Sequence, residues 1–98
     1  MTFDNRKTGF VLATKVDLKE VRRKTGYRQC NPPSNGTDDN VYHLEGLDGD
    51  YARTGEKALI FKTFKEANEE KGILDVIFSA RLTDDGSDVL YLIEERKQ

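Results

Sequence analysis

Residues 73–94 read Ile73-Leu74-Asp75-Val76-Ile77-Phe78-Ser79-Ala80-Arg81-Leu82-Thr83-Asp84-Asp85-Gly86-Ser87-Asp88-Val89-Leu90-Tyr91-Leu92-Ile93-Glu94. In the first ten, Leu74, Val76, Phe78, Ala80 and Leu82 fall on one side, and Asp75, Ser79 and Arg81 on the other. That is the two-residue period of a strand with one face in a core. Thr83 to Ser87 supply Asp-Gly turn chemistry, and Val89 to Glu94 is apolar again, so the chain doubles back as a β-hairpin.

Upstream, a strand–helix grammar occurs twice. Gly9 to Lys15 is an apolar, partly β-branched run, followed by the capping box Asp17-Leu18-Lys19-Glu20, with Leu18, Val21 and Thr25 on one helical face and Gly26 closing the helix. Ala58 to Lys62 reads as a second strand; Thr63-Phe64-Lys65-Glu66 starts a second helix, with Phe64, Ala67 and Lys71 on one face and Gly72 at its end. Asn40 to Glu45 reads as one more strand. The order predicts an α+β fold: an antiparallel sheet of about five strands with two short helices on one face, ferredoxin-like βαββαβ plus a C-terminal strand. A pair of βαββ units is the alternative. Two stretches rich in turn formers, Asn31 to Asp39 and Gly46 to Glu56, are expected as surface loops.

Residues 1–98 fit a single domain. Hydrophobic residues make up 36 % and charged residues 35 %, but the apolar residues come in short clusters, which argues for a folded core over disorder. Cys30 is the one cysteine, so an internal disulfide is excluded, and the N-terminus lacks an apolar run suited to a signal peptide or a membrane span. The expected compartment is the cytoplasm. Asn35-Gly36-Thr37 then reads as a turn and not as a glycosylation acceptor.

The formal charge of −2 conceals a polarised chain: the first 31 residues hold eight Lys/Arg against three Asp/Glu, and the remaining residues eight against fifteen. The basic part concentrates in Lys15, Lys19, Arg22, Arg23, Lys24 and Arg28, with Lys19, Arg22 and Arg23 along one flank of the expected first helix. A flank of that kind suits an acidic protein surface or nucleic-acid phosphates. An isoelectric point of about 5.4, and Phe61 as the one aromatic residue in Lys57 to Lys62, weigh against a dedicated nucleic-acid domain. The outer positions of the second helix, Lys65, Glu66, Glu69 and Glu70, are mostly acidic, so the two helices would also attract each other modestly.

Other constellations carry less. Cys30 and His43 form a thiol–imidazole pair in composition, yet catalysis needs them adjacent and the thiol activated. Asp84-Asp85-Gly86-Ser87-Asp88 concentrates carboxylates but sits between strands, unlike a calcium loop. Asp48-Gly49-Asp50 lacks companion ligands, and Lys24-Thr25-Gly26 lacks the strand, glycine loop and helix of a phosphate cradle.

The sequence therefore predicts a small non-enzymatic regulator, inhibitor or adaptor with no cofactor and no metal, which binds a larger protein through a charged surface. Lys19, Arg22, Arg23, Asp38, Asp39, Asp48 and Asp50 are the expected contact residues. Such a plain, compact chain suits a phage or mobile-element product. The alternative is an RNA- or DNA-binding accessory protein that uses the basic helix. A membrane is not expected as a partner, and a homodimer is conceivable through the edge strand Val89 to Ile93.

Overall fold

The computed structural model describes residues 7–16, 26–30 and 41–97. Six elements succeed one another: β1 (Thr8–Val16), β2 (Gln29–Cys30), β3 (Val41–Leu44), α1 (Phe64–Glu70), β4 (Asp75–Leu82) and β5 (Val89–Arg96). The strands form one sheet in the order β2-β3-β1-β4-β5, every neighbouring pair antiparallel, curled into a half-barrel.

The hairpin forms, and β4 keeps the expected alternation from Val76 to Leu82, but Ile73 and Leu74 precede the strand and are exposed, so Leu74 does not join the core as expected. Val76, Phe78, Ala80 and Leu82 face the larger core, with Val11, Ala13, Tyr42, Leu44, Val89 and Leu92. The opposite face carries Leu12 and Ile77 beneath Ala67 of α1, with Phe10, Phe61 and Phe64 packed around them. Because β1 and β3 are central and covered on both faces, they read as continuous apolar runs; all four residues of β3 are buried.

The expected ferredoxin-like βαββαβ arrangement does not form, nor does a pair of βαββ units. Among the described residues there is one short helix, and the helix expected after β1, with Leu18, Val21 and Thr25, lies outside them. The decisive difference is Ala58 to Lys62, which is not a regular strand. It crosses from β3 to β1 with two isolated pairings, Gly46 with Ala58 and Phe10 with Phe61. On the flank of β1 away from β4, β3 pairs with Ala13 to Val16, Glu45 N–H donates to Leu12 O, and Phe61 exchanges both backbone hydrogen bonds with Phe10. The run is apolar because it serves two cores, Ala58 and Ile60 entering the larger and Phe61 the smaller. Gly9 makes that crossing feasible: a Cβ there would stand 2.9 Å from Ile60 Cγ2 and 3.2 Å from Phe61 O.

Helix α1 keeps its predicted start. Thr63 Oγ1 accepts from Glu66 N–H at 3.2 Å and donates to the Glu66 carboxylate at 3.2 Å, a close relative of the capping box. Seven residues span only about 10 Å. The helix therefore covers the sheet face at Leu12 and Ile77.

Gly46 to Glu56, expected as a surface loop, is only partly one. Leu47 to Asp50 is an exposed turn, but Ala52 is fully buried: its N–H donates to Leu44 O and its carbonyl accepts from Arg28 N–H. Thr54 N–H donates in turn to Gly26 O, so the segment is laced between the end of β3 and residues 26–28.

Candidate functional site

Of the seven expected contact residues, Lys19, Arg22, Arg23, Asp38 and Asp39 lie outside the described residues. Asp48 and Asp50 are exposed and cap their own turn: Asp48 Oδ1 accepts from Asp50 N–H at 3.3 Å, and Asp50 Oδ1 from Tyr51 N–H at 2.7 Å. Asp50 also acts at a distance. Burial pushes the Glu45 carboxyl above its ordinary range, and the charges of Asp75 and Asp50 push it further.

Cys30 and His43 are on adjacent strands but on opposite faces. Cys30 stands opposite Tyr42 and Gln29 opposite His43, and directly opposed residues share a face, so the thiol points with Tyr42 into the larger core and the imidazole points the other way. Burial pushes the Cys30 thiol up, Arg28 offsets part of that and Asp88 adds to it. The net direction is opposite to that of an activated nucleophile. His43, 1 % exposed, stacks on Tyr27 at 5.4 Å between ring centres and meets the Tyr51 ring at 5.5 Å; the Arg53 guanidinium covers Tyr27 at 4.8 Å. This cluster fastens residues 51–53 to β3.

Asp85 and Asp88 of the β4–β5 turn are taken up internally. Asp85 Oδ1 accepts from Thr83 Oγ1, Ser87 N–H and Ser87 Oγ at 2.6, 3.0 and 2.8 Å. Asp88 Oδ1 accepts from Arg28 Nη1 at 2.7 Å and from the Val89 and Ala58 N–H groups. Among the described residues no three His, Cys, Asp or Glu side chains are grouped to hold a metal ion.

The feature that the sequence pattern did not signal is on β5. Its ladder with β4 slips twice, between Ser79 and Ala80 and between Arg81 and Leu82. Opposite these steps Ile93 and Leu90 are extra residues, so β5 is buried at Val89 and Leu92, three apart, rather than at every second position. Leu90, Tyr91 and Ile93 are consequently 57 %, 51 % and 38 % exposed on a strand that alternation alone would half bury. Tyr91 stands opposite Arg81, which stands opposite Thr8 on its other side, all on the face that carries α1. Arg81 is half-buried, and its Nη1 is shielded from solvent without a hydrogen-bond acceptor.

Among the described residues no helix is long and apolar enough to cross a membrane. No protein-family model, curated protein or solved structure matches the chain.

Proposed function

We propose that this chain is a small protein-binding module, a regulator, inhibitor or adaptor that works by contact in the cytoplasm. The observation that supports the reading is the row of exposed apolar side chains on β5, Leu90, Tyr91 and Ile93, in a chain with 35 % charged residues. Contiguous apolar surface exposed to water is costly to solubility, and in small soluble domains it usually marks a contact face. Aromatic and aliphatic anchors of this kind supply most of the free energy of protein interfaces. The basic flank of Lys19, Arg22 and Arg23 serves in this reading as a steering element for an acidic partner and acts chiefly on the association rate.

Immobilised full-length protein should retain a discrete polypeptide from host lysate. That polypeptide, once purified, should bind the wild-type chain and lose at least tenfold in affinity for the Leu90→Ser/Ile93→Ser variant. Retention of nuclease-sensitive nucleic acid in its place, or equal affinity for the variant, overturns the proposal.

A further inference from the structure

The chain contains two Asp-Gly pairs, Asp48-Gly49 and Asp85-Gly86. Such a pair can react with itself, because the amide nitrogen after an aspartate can attack the carboxyl carbon and glycine puts no side chain in the way. In a folded protein the outcome depends on how firmly the nitrogen and the carboxyl are held.

The fold holds the two pairs differently. Gly86 N–H donates to Thr83 O at 2.8 Å, and the Asp85 carboxylate accepts from Thr83 Oγ1, Ser87 N–H and Ser87 Oγ at 2.6, 3.0 and 2.8 Å. Those bonds, the one from the Thr83 side chain foremost, hold the Asp85 carboxyl far below its ordinary range. Its neutral form, which loses water most readily, is therefore scarce. A Cβ at Gly86 would also stand 3.4 Å from Lys7 Cδ. Asp48 and Gly49, by contrast, are both exposed, and a Cβ at Gly49 would meet no atom within 4 Å. The Asp48 carboxylate accepts from Asp50 N–H at 3.3 Å, a long bond. The bond that closes the turn, Gly46 N–H to Asp50 O at 2.7 Å, bypasses both reacting groups.

We infer that Asp48-Gly49 is a site of spontaneous backbone isomerisation, selected by the fold over Asp85-Gly86 and independent of the protein-binding reading. Gly49 N forms a bond to Asp48 Cγ; a Cγ–O bond of the carboxyl breaks, and its hydroxyl leaves with the amide proton as water. Water then opens the resulting succinimide. Attack at Cγ restores aspartate. Attack at the Asp48 backbone carbonyl carbon breaks its bond to Gly49 N and leaves isoaspartate, with the chain running through Cγ. Mass is unchanged overall, but the backbone gains a methylene within the turn whose Asp50 O packs against Gly46.

The test incubates the full-length chain for weeks at about pH 6, in one arm native and in the other unfolded in urea. Cleavage after Glu45 and Glu56 releases residues 46–56 as one peptide, and electron-transfer fragmentation tells isoaspartate from aspartate at each position. In the native arm isoaspartate should form at Asp48 at least about fivefold faster than at Asp85; in urea the two rates should come within about twofold. Asp48→Glu, whose longer side chain closes a less favourable ring, should leave peptide 46–56 free of isoaspartate. Equal native rates, a faster rate at Asp85, or no isoaspartate at Asp48 overturns the site. A preference for Asp48 of the same size in urea overturns selection by the fold, and isoaspartate in the Asp48→Glu peptide overturns the assignment by moving it to Asp50.

Discussion

Arg28 Nη1 and Asp88 Oδ1 are 60 residues apart in sequence and 2.7 Å apart in space. Arg28 precedes β2 and Asp88 precedes β5, the two edges of the sheet, so the pair closes one end of the half-barrel. Arg28 Nη2 adds a bond to Val89 O at 2.6 Å, and Nη1 one to Glu56 O at 3.0 Å. The side chains are 20 % and 27 % exposed, which leaves the pair partly screened but well short of solvated.

Removal of one partner should therefore cost more than an ordinary surface ion pair. Arg28→Ala strands Asp88 and two carbonyls, and should lower unfolding free energy by about 2 kcal/mol. Urea denaturation checks it; a change under about 0.5 kcal/mol would show that the clasp contributes nothing to stability.

The same pair sets an acid response. Burial pushes the Asp88 carboxyl up, but hydrogen bonds from Arg28, Val89 N–H and Ala58 N–H outweigh it and hold the group below its ordinary value. A carboxyl with a lower pKa folded than unfolded contributes stability that is complete above the ordinary range near pH ~4 and is lost as pH falls through the folded value. The stability difference between wild type and Asp88→Asn should thus be constant from neutral pH down to about pH 5 and shrink below pH ~4. A difference that grows on acidification contradicts this.

Glu45 should behave in the opposite sense. Its carboxyl is raised by burial and by Asp75 and Asp50, so its ionised form opposes folding at neutral pH. Glu45→Gln is expected to raise the thermal midpoint slightly at pH 7, with the gain vanishing once acid protonates the native glutamate. A lowered midpoint at pH 7 would refute the sign.

Cys30 should alkylate slowly. Its thiol is half-buried and its pKa is raised, so the iodoacetamide rate should climb with pH to a midpoint above the ordinary ~8.5. His43→Ala should leave that profile in place, because the two side chains occupy opposite faces of the sheet. A rate plateau below pH 8 would disprove the assignment.

Gly46 offers a steric test. A Cβ there would lie 2.8 Å from Asp50 O and 3.1 Å from Ala52 N, both backbone atoms that cannot turn aside. Gly46→Ala should destabilise by about 1–3 kcal/mol through displacement of the Leu47–Asp50 turn, as overpacking does in cores. Unchanged urea denaturation would mean that the turn relaxes freely.

Local chemistry alone was enough for the β4–β5 hairpin and the start of α1: alternation over Val76 to Leu82, Asp-Gly in the turn, and Thr63 three residues before Glu66 act within a few residues and need no partner to be read. Ala58 to Lys62 has the composition of a strand without being one, because an apolar run shared by two cores looks like one buried in a sheet. The exposure of Leu90 and Ile93 was equally hidden, since a bulge is a property of pairing and leaves no mark on the inserted residue's type. Whether Cys30 and His43 share a face depends on the register between β2 and β3, which neither residue's type encodes.

By itself, then, the sequence determined which short segments fold back or start a helix, and that the chain has an antiparallel frame. Tertiary structure decided which strand flanks β1, where the sheet closes through Arg28 and Asp88, and which apolar side chains remain in water. Those outcomes depend on contacts between residues tens of positions apart, whose register and curvature emerge only when the edges of the sheet meet.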